Sequence, residues 1–226
     1  MARIKWYGHA AFRIEAQDGT AVITDPYTPD LLGYAPIRDR ADVVAISSTD
    51  DRAHCRADLI EGEPAVFDAL AVARSGGTAD VAGVEFQAIE AKEWVDHPEH
   101  DAGANAMYRW NTDGMAFAHM GDVGNPLAER QMAFLENVDV LFALAGGYLT
   151  IELPDLMDVI ERTKPKLVVP MHFRTLTYKP RNTLWIESFL AGFDENAIDF
   201  ACAYETSLER DDLPDATRVV VMDYAR

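Results

Sequence analysis

Residues 115–127 read MAFAHMGDVGNPL. The apolar lead-in Met115-Ala116-Phe117-Ala118 predicts a buried strand, and the turn His119-Met120-Gly121-Asp122 delivers an imidazole and a carboxylate just past its end. Gly121 and Gly124 loosen the backbone there, Pro126 sits where a helix would begin, and residues 127–135 follow at helical spacing. His119 and Asp122 have two readings at this point. Both residue types are common in turns and could simply cap the strand and the helix, or they could be presented for chemistry.

Downstream the same rhythm repeats. A strand over residues 138–144 runs into Ala145-Gly146-Gly147, a helix is predicted over 152–163, and a strand over 167–171 ends in His172. A helix over 183–190 and short strands over 198–201 and 218–222 close the chain. Upstream the chain reads as β, with runs over 4–7, 11–16 and 20–24 divided by Gly8-His9 and by Asp18-Gly19, a strong hairpin signal. Residues 42–47 (DVVAIS) form a continuous apolar run, as expected of a strand covered on both faces, and empty into the polar stretch STDDRAHC. Further strands are expected at 65–67 and 84–89. Each half supplies a sheet and helices, which suggests two mixed sheets face to face with helices outside, an α/β sandwich in one domain over residues 1–226.

Composition narrows the function. The hydrophobic fraction of 49% with 26% charged residues is that of a globular chain, and no apolar run has membrane length. No signal peptide is evident at the start, so a cytoplasmic location is expected. Cys55 and Cys202 are too few for a disulfide framework and read as reduced thiols. A net charge of −18 argues against nucleic acid or an anionic membrane as partner and repels polyanions at long range. Local Arg or Lys, or a bound metal, could reverse that sign inside one cleft. A small-molecule substrate is the expected partner, and homo-oligomerisation stays open.

The six histidines are His9, His54, His97, His100, His119 and His172, and none falls in a predicted helix. All sit at strand ends or in loops, alongside Asp25, Asp50, Asp51, Asp101 and Asp122. Imidazole with carboxylate is the ligand set for Zn²⁺, Mn²⁺ or Fe²⁺, so a shared metal site is expected.

The ordered motifs GHAAF at 8–12, ITDPY at 23–27, the strand feeding a polar loop, NAMY at 105–108, HMGD at 119–122 and VVPMHF at 168–173 together resemble the metallo-β-lactamase superfamily. The chain is most similar to a branch of metal-dependent hydrolases that includes lactonase-like proteins, and the resemblance spans nearly the whole sequence. It implies an αββα sandwich with the metal site in a cleft at one edge of the two sheets. Asp122 would be the bridging carboxylate, His172 the last imidazole ligand, and His97 or His100 the histidine that precedes the NAMY strand. His9 and Asp25 match positions lining the cleft, with Ser48, Arg52 and Asn105 beside them. His9 and His119 could transfer a proton or position substrate, although hydrogen-bonded support of the ligands is the preferred role for both.

The family's HxHxDH signature is degenerate here. Counting forward from Ser47, Ser48 and Asp50 replace the two leading histidines; counting back from His54, Thr49 and Asp51 do, and Ala53 replaces the aspartate. His54 and one of Asp50 and Asp51 remain as ligands. With Asp122 and His172 they support one divalent ion, Zn or Mn, and two only poorly. The implied function is hydrolysis of a small ester, lactone or phosphoester, with metal-bound hydroxide as nucleophile. The alternative is a non-catalytic descendant of the fold that has lost its metal and binds a small molecule or a partner, with Arg52 filling the vacated volume and pairing with Asp122.

Overall fold

The computed structural model describes residues 1–93 and 103–226. One sheet contains β1 (Ala2–Gly8), β2 (Ala11–Glu15), β3 (Ala21–Thr24), β4 (Val43–Ile46), β5 (Ala65–Asp68) and, on the outer flank of β1, β13 (Glu205–Leu208). The other runs in sequence through β6 (Thr78–Val81), β7 (Val84–Lys92), β8 (Ala104–Thr112), β9 (Met115–His119), β10 (Val140–Leu144) and β11 (Leu167–Met171), then β14 (Arg218–Val221) and β12 (Ile198–Phe200). Both are mixed: β3, β4 and β5 pair in parallel, as do β9, β10, β11, β14 and β12, while the remaining neighbours are antiparallel.

The core lies between the sheets. Phe12 packs on Phe142 at 4.3 Å between ring centroids and Phe67 on Phe86 at 4.2 Å, each pair joining one sheet to the other. The apolar run of β4 divides by its period of two: Val43 and Ala45 enter this core, whereas Val44 and Ile46 face a second cluster with Tyr7, Tyr27, Leu32, Tyr34 and Ile60. The strand is apolar throughout because both its faces are covered.

The helices are few and short. They are α1 (Pro29–Leu32), α2 (Ala69–Arg74), α3 (Glu129–Phe134), α4 (Leu153–Thr163) and α5 (Ile186–Leu190). In α4 the buried residues Leu156, Val159, Ile160 and Thr163 recur at the spacing of one helical face. The helix expected from residue 127 begins only at Glu129, where Gln131 folds back to accept from the Ala128 backbone. Asp122 is therefore no helix cap. The helix α2, capped by Asp68 through the Ala71 N–H, and the strands β6 and β13 carry no sequence signal strong enough to have been expected.

Candidate metal centre

Five strands end at one edge of the sandwich, and each hands a polar residue to the same place. His9 follows β1, Asp25 follows β3, residues 47–54 follow β4, Asp122 follows β9 and His172 follows β11. Ligands collect outside the carboxyl ends of parallel strands because side chains there project into space no longer filled by the sheet. His9, Asp25 and His172 have φ of 53°, 36° and 55°, left-handed values that a non-glycine residue adopts at a cost of about 1–3 kcal/mol when the surroundings hold it. His9 is held by the N–H of His172, which donates to the His9 carbonyl at 3.1 Å. Gly121, at φ 61°, lets the HMGD turn press onto Ser47 and Asn105, since a Cβ there would lie 2.6 Å from Asn105 Oδ1.

His54 is the hub of the site. Its Nδ1 lies 2.8 Å from Asp25 Oδ2, so Nδ1 carries a proton and Nε2 faces the cleft, where it takes a second proton or an ion. Asp25 also accepts from the Ser47 backbone N–H at 2.9 Å, the Ser47 hydroxyl at 2.6 Å and the Tyr108 hydroxyl at 3.1 Å. Burial alone would raise the pKa of this carboxyl, but the charge interaction with His119 and the hydrogen bond with His54 outweigh it and hold it below the ordinary value.

Around His54 Nε2 stand His9 Nε2 at 3.1 Å, Asp122 Oδ2 at 3.6 Å and Asp51 Oδ2 at 3.7 Å, and His172 Nε2 is 3.3 Å from Asp122 Oδ1. Ligand atoms about 2.0–2.1 Å from a tetrahedral ion lie roughly 3.3 Å from one another, which is the spacing found here. Asp122 Oδ1 is buried with no hydrogen-bond partner among the described residues, as a metal-ligating oxygen would be. Burial opposes a charge on His54, yet Asp122, Asp25 and Asp51 outweigh it and lift its pKa to about 10. The cluster thus favours positive charge at this point, carried by a proton or by a divalent ion. Burial and neighbouring imidazoles keep His9 and His172 neutral, His172 down to about 3, which leaves their lone pairs available as ligands. His9, His54 and His172 form one potential ligand group, and Asp51, His54 and Asp122 another. The residues fit a metal ion.

A family model for the β-lactamase superfamily domain matches residues 3–172. The chain belongs to the metallo-β-lactamase superfamily. A UPF0173 metal-dependent hydrolase of Methanopyrus kandleri is 26% identical over 195 residues, covering 76% of this chain and 84% of that one. Another, from Salinibacter ruber, is 25% identical over 217 residues, covering 87% and 94%. The crystal structure of a metallo-β-lactamase superfamily protein from Thermotoga maritima matches along the whole of both chains with a TM-score of 0.78 and 28% identity.

Against this superfamily frame, His54, Asp50, Asp51, Asp122 and His172 line one cleft of about 510 Å³, while His97 and His100 lie outside the described residues. His9 stands in the cleft wall with its Nε2 among the ligand atoms, rather than behind them as support. The expected cleft-lining residues need correction. Asp25, Ser48 and Asn105 are buried one layer back: Asp25 holds His54, Ser48 donates to Asp50 at 2.9 Å, and Asn105 Oδ1 accepts from the Asp122 backbone N–H at 3.1 Å. Arg52 is exposed, and among the described residues only its carbonyl is engaged, by Thr28, so it neither fills the cleft nor pairs with Asp122. His119 is not placed for catalysis either: its Nε2 donates to the Ala10 carbonyl at 2.9 Å and its Nδ1 accepts from the Gly121 N–H at 3.0 Å.

Glu93 and Tyr178 escaped the sequence reading. Both are buried and line the cleft. Burial, then repulsion from Asp122 and Asp51, pushes the Glu93 pKa up to about 8. Its signal was an acid just past the end of β7, too common a feature to stand out. Tyr178 lies in a loop without periodicity.

Proposed function

We propose that this chain is a hydrolase of a small ester, lactone or phosphoester that works with a single divalent ion, Zn or Mn, held by His9, His54, His172, Asp122 and Asp51. The observation that carries the proposal is the 3.1–3.7 Å spacing of ligand atoms about His54 Nε2. The relatives from Methanopyrus kandleri and Salinibacter ruber bear the name metal-dependent hydrolase, which agrees with it.

Asp25 occupies Nδ1 of His54, so Nε2 is the one atom that His54 offers, and both potential ligand groups need it. One lone pair serves one ion, which favours a single ion over the pair that the intact HxHxDH signature would bind. When bound, such an ion polarises the scissile carbonyl or phosphoryl oxygen and acidifies water to a pKa near 7. The chain's own contribution is orientation. Asp25 fixes the ring of His54, Asn105 fixes the backbone of Asp122, and the His172 N–H bond to the His9 carbonyl ties the two backbones while their rings pack at 3.9 Å between centroids. Glu93, outside the proposed ligand set and with its pKa pushed up to about 8, is a cleft carboxyl suited to exchange a proton with reacting groups.

Protein reloaded with Zn²⁺ or Mn²⁺ is expected to hydrolyse at least one of a panel of aryl esters, lactones and phosphodiesters, with loss of turnover in chelator and in Asp122→Ala. Equal turnover by loaded, chelated and substituted protein would overturn the proposal.

A further inference from the structure

We infer that the cleft selects substrates by charge: it takes an apolar ester that carries a cationic group, accepts the uncharged analogue less well and rejects carboxylates and phosphoesters. This rests on the proposed hydrolase reading and narrows its substrate class.

Asp50, Asp51, Glu93 and Asp122 supply four carboxyls to the lining, and no Lys or Arg lines it among the described residues. Of the cations next to lining residues in sequence, Lys92 beside Glu93 and Arg181 beside Pro180 are exposed and are not part of the lining, and three others are turned elsewhere. Arg52, between Asp51 and Ala53, is exposed to solvent. Lys179, between Tyr178 and Pro180, gives its ammonium to the Asp30 carbonyl at 2.5 Å. Arg56, two residues past His54, is held by Asp58 and the Thr28 hydroxyl at 2.7 Å each. Enzymes that clamp phosphoryl or carboxylate groups place Arg or Lys on the charge, and this cleft does the reverse.

With Glu93 mostly protonated near pH 7, Asp50, Asp51 and Asp122 remain as carboxylates, and a single divalent ion offsets only two of their three charges. Asp51 and Asp122 belong to its potential ligand set, which leaves Asp50 as the carboxylate free to act on the substrate, while Glu93, with its pKa at about 8, offers mostly its neutral form near pH 7. Asp122 Oδ1, more than nine-tenths buried and without a hydrogen-bond partner among the described residues, belongs to the same lining. Beyond the carboxyls and the imidazoles of His9, His54 and His172, the described wall is apolar: Leu31, Leu32, Leu149, Tyr178 and Pro180, with Leu31 47% exposed. Carboxyls beside an aliphatic and aromatic surface suit an alkylammonium group on an apolar body. The chain's net charge of −18 acts in the same direction at long range.

The test compares four esters with one leaving group on metal-loaded protein: a trimethylammonio ester, its uncharged 3,3-dimethylbutyl isostere, a carboxylate-terminated ester and a phosphate monoester. The expected kcat/KM falls in that order, by about tenfold or more between the first and third, as one favourable charge contact replaced by an unfavourable one requires. Asp50→Asn with Glu93→Gln should flatten the ratio, and Leu31→Lys, at an exposed position, should raise turnover of the anionic esters. Metal content measured on each variant separates charge selection from loss of the ion. Equal or greater turnover of the anionic esters by wild type would overturn the inference while leaving the hydrolase standing. If no ester is turned over, titration calorimetry with tetraethylammonium and with an uncharged isostere decides. Preference for the cation upholds charge selection without hydrolysis, and equal binding refutes it.

Discussion

Asp25 Oδ2 stands 2.8 Å from His54 Nδ1, with both side chains fully buried, and this one bond decides which nitrogen of His54 faces the cleft. A carboxylate behind a ligating histidine fixes its tautomer and raises its basicity, and substitution of such partners costs about 10–100-fold in metal affinity. Asp25→Asn keeps the shape but removes the charge, and a loss in that range is expected in a competition titration against a chelator. Unchanged affinity would mean that the ring needs no such partner.

Asp122→Ala should lose the ion while keeping the fold. The residue sits in a turn, and its bond to Asn105 is made by the backbone N–H, which the substitution retains. Circular dichroism like that of wild type, together with loss of metal, is the expected pair of results.

His119→Ala should do the opposite. Both ring nitrogens are bonded to backbone groups, and the ring stacks on Tyr108 at 4.9 Å between centroids. Losing these bonds and leaving a hole should cost about 2–4 kcal/mol in denaturant unfolding. Metal stoichiometry in the folded fraction should persist; a stable variant lacking activity would instead give His119 a direct chemical role.

The metal-free protein should become less stable as pH rises from about 7 to 10. His54 is raised to about 10, Asp122 to about 7 and Glu93 to about 8. For all three, the folded state holds protons that the unfolded chain releases at lower pH, so stability falls as pH climbs toward each folded value. Asp25, shifted downward, titrates below this window, and His9, His119 and His172, also shifted downward, act in the opposite sense only up to about the ordinary imidazole value of 6.5. Divalent ion competes with the same protons, so its affinity should rise over that range. Thermal unfolding in chelator across pH checks the first statement, and a pH-independent midpoint would contradict it.

Much of this was legible in the sequence because strand ends announce themselves. The apolar run at 115–118 and the VVPM before His172 fix two strands of one sheet, and the glycines and histidines that follow mark the edge where they stop. The layered fold and a cleft that brings Asp51, His54, Asp122 and His172 together followed from there. Depth was not legible. Asp25, Ser48 and Asn105 were placed on the cleft edge, yet all three lie one layer behind it, because only folding shows which polar residue a neighbour covers. Arg52 shares a loop with Asp51 and His54 but faces away, since Thr28 anchors the Arg52 carbonyl and turns the chain. Glu93 gained its role from a β7–β8 pairing between residues far from His54 in sequence.

Metal stoichiometry tests the central claim most directly. Protein purified without chelator, dialysed against metal-free buffer and analysed by elemental mass spectrometry should carry about one divalent ion per chain, removed by Asp122→Ala and by His54→Ala. Two ions per chain would contradict the single-lone-pair argument at His54. Zero ions, or one that survives both substitutions, would mean that the cleft is not the metal centre.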